Sequence, residues 1–179
     1  MPNPKIRHYP VADDDMWNRE AENIMPFLFG KGVDIGAGGR SIFKDDVRVD
    51  CDPEREPDFL CSGDDLPFKD GEFDYLYGIH AFEHFADQEK LIKEWTRVIR
   101  KGGTIAIVHP DLEFTGKQKP IEESMDKNPH NFHYFERTHE EFLKYLLDNN
   151  FFGLKLIATG PACQGWSFYV VLKKNGSPE

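Results

Sequence analysis

A chain of 179 residues, 39% hydrophobic and 13% aromatic, can bury one sizeable core and is short for two, so one domain is expected over residues 1–179. Its formal net charge of -10 offers no general attraction to phosphate backbones or anionic lipid, which disfavours nucleic acid as a partner. No apolar run approaches the roughly 20 residues of a membrane helix, the N-terminal stretch has no apolar signal core, and Cys51, Cys61 and Cys163 lack a CxxC spacing, so a cytoplasmic protein with reduced thiols is expected.

Residues 1–31 read as an N-terminal helical segment. Asp13 to Asp15 can cap a helix through Met16, Trp17, Ala21, Ile24 and Met25 that ends around Pro26 to Gly30. "GVDIG" and "VRVD" follow as short buried strands, and "FDYLYGI" as the next. Leu91, Ile92, Trp95, Val98 and Ile99 then share one face of a 3.6-residue period, with Gly102 and Gly103 as the expected stop. "TIAIVHP" is a strand closed by Pro110. Residues 111–137 are too long for an ordinary connector and read as an insertion or lid facing substrate. Thr138 and Glu141 form a capping box for a helix whose Phe142, Leu143, Leu146 and Leu147 make a core face. "FGLKLIATG" and "GWSFYVVLKK" read as a hairpin-like pair of strands before a polar tail, residues 173–179. Strands alternating with amphipathic helices point to an α/β fold with a parallel sheet.

The glycines of "DIGAGG" stand at a strand end. Gly36, Gly38 and Gly39 permit a tight turn and let backbone approach a ligand without an intervening side chain. Asp34 can hold that turn or meet a cationic group. A dinucleotide fingerprint needs a third glycine where Ser41 stands, so a nicotinamide cofactor is discouraged and a smaller ligand favoured. Asp50 ends the second strand, where a carboxylate can accept both hydroxyls of an adenosine ribose, with Asp52 as its near competitor.

"GDDLPFKDGEFDYLYGIHAFEH" and "RVIRKGGTIAIVHPD", following "VDIGAGG" and "VRVD", resemble the class I S-adenosylmethionine-dependent methyltransferases, in detail the small type 11-like members with their "LPF...FD", "H-x-x-EH" and "R-V-L-K-P-G-G" signatures. The resemblance covers about residues 32–111, and "FERTHEEFLKYLLDNNFFGLKLI" is more loosely similar to the family's penultimate helix and strand. It implies a single-domain Rossmann-like fold with a seven-stranded, mostly parallel sheet and an antiparallel edge strand. The few residues between Gly39 and Val47 shorten the first helix to a turn or two. The implied cofactor is S-adenosyl-L-methionine. Asp34, Gly36, Ala37 and Gly38 would line its methionine and ribose side, Asp50 would take the ribose hydroxyls beside Cys51, and Ser62, Gly63, Asp64, Asp65 and Leu66 would flank the adenine. Asp64 is favoured for the adenine amine, and His80 would sit beside the methionine moiety. Lysine replaces the family's usual proline in "IRKGG".

A methyl on a sulfonium is already electrophilic, so the protein mainly aligns donor and acceptor and excludes water. A hydroxyl acceptor additionally needs a base. His109, at a strand end in "VHPD", is the leading candidate, and His80 the second. Asp111, His130, His133 and Tyr134 are candidate acceptor contacts, while the rings of Phe132, Tyr134 and Phe135 can stack on a sugar or close the core. Glu83 and His84 are expected in helix capping and packing. The histidine pair of "HNFHYFE" lies on no predictable helix and has no matched carboxylate spacing, so no metal is expected. The expected reaction is methylation of a small-molecule or glycan hydroxyl; the alternative is a non-catalytic module that binds the cofactor or a partner.

Overall fold

Strand alternation sorts the apolar residues of this chain onto two faces of one sheet. The computed structural model describes residues 14–115, 132–135, 137–149, 153–163 and 165–176. In chain order the elements are α1 (Asp14–Ile24), β1 (Gly32–Ile35), β2 (Val47–Asp50), β3 (Phe59–Leu60), β4 (Phe73–Ile79), α2 (Gln88–Val98), β5 (Ile99–Pro110), α3 (Leu112–Thr115), α4 (His139–Asp148), β6 (Leu154–Cys163) and β7 (Ser167–Lys174). The seven strands lie in the order β3-β2-β1-β4-β5-β7-β6. The first five are parallel to one another, and β7 runs antiparallel to both β5 and β6. The antiparallel element expected at this end of the sheet is thus β7, one place in from the outermost strand β6.

On one face, Val33, Ile35, Val49, Leu76, Ile105 and Ile107 pack against Leu91, Ile92, Trp95 and Val98 of α2 and against Phe142 and Leu146 of α4. On the other, Tyr75, Tyr77, Ile79, Ala106 and Val108 meet Ala21 and Ile24 of α1. Phe73 belongs to the first face although Tyr75, two residues on, belongs to the second, because the β4–β5 register shifts between them. The α4 capping box forms as expected: Thr138 Oγ1 accepts from the Glu141 amide at 3.3 Å, and the Glu141 carboxylate accepts from the Thr138 amide at 2.9 Å. Leu147 is the exception on its helix, 66% exposed rather than in the core.

The glycines at 102 and 103 do not stop α2. The helix ends at Val98 because Ile99 is already extended and paired with Phe73, and both glycines lie within β5. A Cβ on Gly103 would stand 2.6 Å from the Asp74 carbonyl oxygen, so close backbone approach explains that glycine. The shortening between β1 and β2 goes further than a turn or two of helix: residues 36–46 form turns only.

A buried polar cluster holds this connection instead. Asp46 accepts hydrogen bonds from the hydroxyls of Tyr75 and Tyr77, the latter at 2.9 Å, and Tyr77 Oη in turn accepts from the Ile42 amide at 2.8 Å. Burial raises the Asp46 pKa, against the opposing effect of the two tyrosine hydroxyls. No helix among the described residues is long and apolar enough to cross a membrane. Asp46→Ala strips the acceptor from two buried hydroxyls and is expected to cost about 3 kcal/mol, lowering Tm by roughly 6–12 °C. Thermal denaturation followed by circular dichroism checks this, and an unchanged Tm would show that the cluster is not what holds the loop.

Candidate active site

At the C-terminal ends of β1, β2 and β4 the chain leaves the sheet in three turns, and a cavity of about 380 Å³ opens between them. This is where open α/β sheets bind ligands. Ile35, Gly36 and Gly38 form one wall and Val49 to Asp52 another. Gly36 and Gly38 have φ of +71° and +53°, and a Cβ on Gly36 would stand 2.8 Å from that of Ala81. A side chain there would therefore be strained and would close the gap to the β4 turn.

Asp50 ties two of the turns together. Its Oδ2 accepts from the Gly38 amide and its Oδ1 from the Asp52 amide, both at 2.9 Å, while its carbonyl accepts from Cys61 N at 3.1 Å. Each carboxylate oxygen keeps lone-pair capacity for a ligand hydroxyl. Cys51 lines the same wall. The third wall contains Cys61, Ser62 and Gly63. Gly63 is wedged so that a Cβ would meet Ile35 Cγ2 at 2.5 Å and Phe85 Cζ at 2.9 Å, and its carbonyl accepts from Trp95 Nε1 at 3.1 Å.

Several expected cofactor residues fall outside the cavity. Asp34 points to the opposite face of β1 from Ile35, as alternation requires, and accepts from Ser41 Oγ at 3.0 Å. Burial raises its pKa well above the ordinary value. Ala37 is buried and donates its amide to the Val49 carbonyl, at 3.2 Å. Asp64 is turned toward Ser62 Oγ at 2.5 Å and Lys90 Nζ at 2.9 Å, and neither it nor Asp65 lines the cavity. Leu66 is buried, with its amide donating to Glu94 Oε1 at 2.7 Å. The flank expected for an adenine is therefore built by Ser62 and Gly63, joined by Cys61, Phe85 and Ala86, which sequence reasoning did not single out. Arg55 and Ala81 were likewise missed; the only signal for these residues was their nearness to the motifs.

His80 lines the cavity in a left-handed conformation, φ +52°, which a non-glycine residue adopts at a cost of order 1 kcal/mol. Its Nε2 lies 2.8 Å from Glu20 Oε1 of α1, and its Nδ1 3.5 Å from Glu83 Oε1. Burial pushes the imidazole pKa down, but the two carboxylates outweigh it and hold the value at about 10. The two carboxylates thus favour the imidazolium form of His80, with both ring nitrogens facing carboxylates, an arrangement unlike that of a general base.

His109 is also displaced from its expected role. On β5 it shares the face of Ile105 and Ile107, so alternation drives it under α4, fully buried, its ring stacked on Phe168 at 5.3 Å. Its Nδ1 donates to the Pro110 carbonyl at 2.7 Å, burial lowers its pKa, and it does not line the cavity. Asp111 is buried and accepts from the Glu113 amide at 3.1 Å, which places it in a local turn. Of the long segment, His130 lies outside the described residues. Tyr134 does reach the cavity, its amide donating to the Glu83 carbonyl at 2.9 Å. His133 packs edge-on against His84, ring centroids 4.9 Å apart. Glu83, expected in helix capping, is instead fully buried in a short 3-10 turn, and Glu83, His84 and His133 each bring a potential metal-ligand atom within 4.8 Å of the others. Burial alone would raise the Glu83 pKa; the His80 imidazolium beside it pulls it down to about 2.

A seven-stranded sheet of this order, with a glycine turn after β1 and an acid closing β2, is a fold shared with solved S-adenosylmethionine-dependent methyltransferases. Residues 32–107, under half of the chain, match the family model described as "Methyltransferase domain". Similar curated proteins include ajmaline N-methyltransferase of Rauvolfia serpentina, 46% identical over 63 residues, 33% of this chain and 22% of that protein. An uncharacterised protein of Methanocaldococcus jannaschii is 33% identical over 100 residues, 49% of each chain. The chain thus spans half or less of the length of these relatives. Among solved structures, an S-adenosylmethionine-dependent methyltransferase of Thermotoga maritima superposes with a TM-score of 0.65 at 21% identity, over 89% of both chains.

The His80 pairing has a pH signature. Because the folded pKa lies above the ordinary 6.5, the pairing stabilises the fold in full below about pH 6.5 and the contribution is lost as pH rises through about 10. Glu20→Gln removes one of the two charges, so the His80 imidazole is expected to titrate at lower pH than in the parent. NMR of the imidazole carbon-bound protons against pH reads this directly, and an unmoved titration would mean that Glu20 does not hold the charge.

Proposed function

We propose that this chain transfers the methyl group of S-adenosylmethionine to a hydroxyl of a small molecule or glycan. The observation that carries the reading is the cavity itself: a glycine turn, a strand-end carboxylate with spare acceptor capacity, and an apolar flank at Gly63, Phe85 and Ala86 suit, in order, the methionine, ribose and adenine parts of that cofactor. Gly36 and Gly38 admit the cofactor against bare backbone, and Asp50 fixes the ribose while bridging two turns. Tyr134 lines the same cavity, which supports residues 132–135 as part of its acceptor side, within one domain. With the sulfonium supplying the electrophile, the protein's task is alignment and exclusion of water.

A second reading, methylation of an amine, is favoured by one observation: His109 lies outside the cavity and His80 is protonated, so neither is a free base. A neutral amine needs none. Both chemistries occur in the names of similar proteins, as in ajmaline N-methyltransferase and a tocopherol O-methyltransferase. A non-catalytic module would bind the cofactor and transfer nothing. Incorporation of labelled methyl from S-adenosylmethionine into hydroxyl and amine acceptors separates all three; label in neither class, with cofactor bound, would leave only the binding module.

S-adenosylhomocysteine at about a hundred times its Kd should stabilise the fold by about 2.7 kcal/mol through mass action. Asp50→Asn keeps the shape but loses the charge and one of the two acceptors that now hold the Gly38 and Asp52 amides, so affinity is expected to fall at least roughly tenfold, the equivalent of one charge-assisted hydrogen bond. Denaturation with and without the ligand measures the first and isothermal titration calorimetry the second, and full affinity in the variant would remove Asp50 from the ribose site.

A further inference from the structure

We infer that Glu83, His84 and His133 form a binding site for a divalent metal ion of the zinc class at the edge of the cavity, with an open position for water or an acceptor oxygen. The ligand atoms of the three converge within 4.8 Å. Two imidazoles and one carboxylate are a donor set that suits zinc and its first-row neighbours, and three protein ligands leave room for an exchangeable fourth. The independent observation is Glu83: its side chain is fully buried, and neither carboxylate oxygen has a hydrogen-bond partner. The nearest cationic atom, His80 Nδ1 at 3.5 Å from Oε1, pairs with it electrostatically but leaves both oxygens without a donor. His80 balances the charge, but buried carboxylate oxygens with unfilled lone pairs are costly unless a donor or a metal ion completes them.

His84 is prepared for the same role. Its Nδ1 lies 3.2 Å from the Phe132 carbonyl oxygen, which can only accept, so the proton sits on Nδ1 and the lone pair on Nε2. A ring fixed by a backbone carbonyl is the usual state of a ligating histidine. His84 and Tyr134 also line the cavity, and the Tyr134 amide is bonded to the Glu83 carbonyl. The ion would therefore fasten the 132–135 segment to the turn after β4 and border the acceptor space.

The site stands on these residues alone; its use in catalysis rests on the methyl-transfer reading. There, a hydroxyl coordinated at the open position loses its proton to solvent, and its oxygen forms the new bond to the methyl carbon. The carbon–sulfur bond breaks with its electron pair passing to sulfur, giving the neutral thioether. This supplies what His80 and His109 do not.

The full chain, stripped with chelator and dialysed against zinc alone, is expected to retain one zinc per chain by elemental analysis, and cobalt in its place to give visible absorption. His133→Ala should weaken zinc binding at least roughly a hundredfold, since even outer-shell partners of a ligand cost about 10–100-fold, while S-adenosylhomocysteine affinity stays within about twofold. Glu83→Gln should lose the cobalt spectrum in the same way. Absence of zinc from the parent chain overturns the site, as does zinc retained by His133→Ala but lost on alkylating Cys51 and Cys61. Zinc held by the parent and lost in His133→Ala, with no S-adenosylhomocysteine bound by either, would sustain the site and overturn the methyl-transfer reading instead.

Discussion

An imidazolium held between two buried carboxylates joins the site of this protein to its fold. His80 sits where β4 leaves the sheet, in a left-handed conformation, facing Glu20 of α1 on one side and Glu83 of the following turn on the other. Glu20 also accepts from Ser167 Oγ of β7 at 2.5 Å, so one carboxylate binds a helix to two strands. Charges taken out of water persist only when they are paired, and breaking one side of such a group leaves the rest uncompensated. The strained turn at His80 is thereby held in place, and with it the wall against which a ligand must fit.

The opposite wall is fixed in another way. Removing the helix that usually separates β1 and β2 leaves residues 36–46 without internal hydrogen bonding of the helical kind, and buried backbone and side-chain groups must then find other partners. The Asp46 carboxylate, the two tyrosine hydroxyls and the Asp34–Ser41 pair provide them below the sheet edge. Above it, Asp50 accepts from Gly38 and Asp52. The short loop is thus anchored by side chains as well as by its Gly36 and Ala37 amides, which donate to the Val49 carbonyl.

The side of the cavity bordered by Tyr134 and His84 is assembled from distant pieces. Phe132 to Phe135 lie against the 82–84 turn through the Tyr134 amide and the Phe132 carbonyl, bringing His133 to His84 and Glu83. The Glu83 carboxylate at this junction is balanced in charge by His80, yet neither of its buried oxygens has a hydrogen-bond partner, and an apolar side chain of similar volume would fill the space at lower cost. Its retention beside two imidazoles makes chemical sense when a cation belongs there.

Local patterns in the chain by themselves determined the α/β class, the glycine turn, the acid closing β2, the capping box at Thr138 and Glu141 and the helical face of α2, because each depends on residues a few positions apart and on fixed backbone periods. The same alternation that made β5 recognisable also carries His109 beneath Phe142 and Phe168, a result visible only once α4 and β7 are in place. Only the tertiary structure decided that His80 meets Glu20 across 60 positions and that His133 meets Glu83 rather than a partner in its own segment. The spacing of such pairs follows no period. Their ionisation depends on burial and on which charges the packing of separate elements places alongside, so the base expected on β5 became a core residue and the one on β4 a cation.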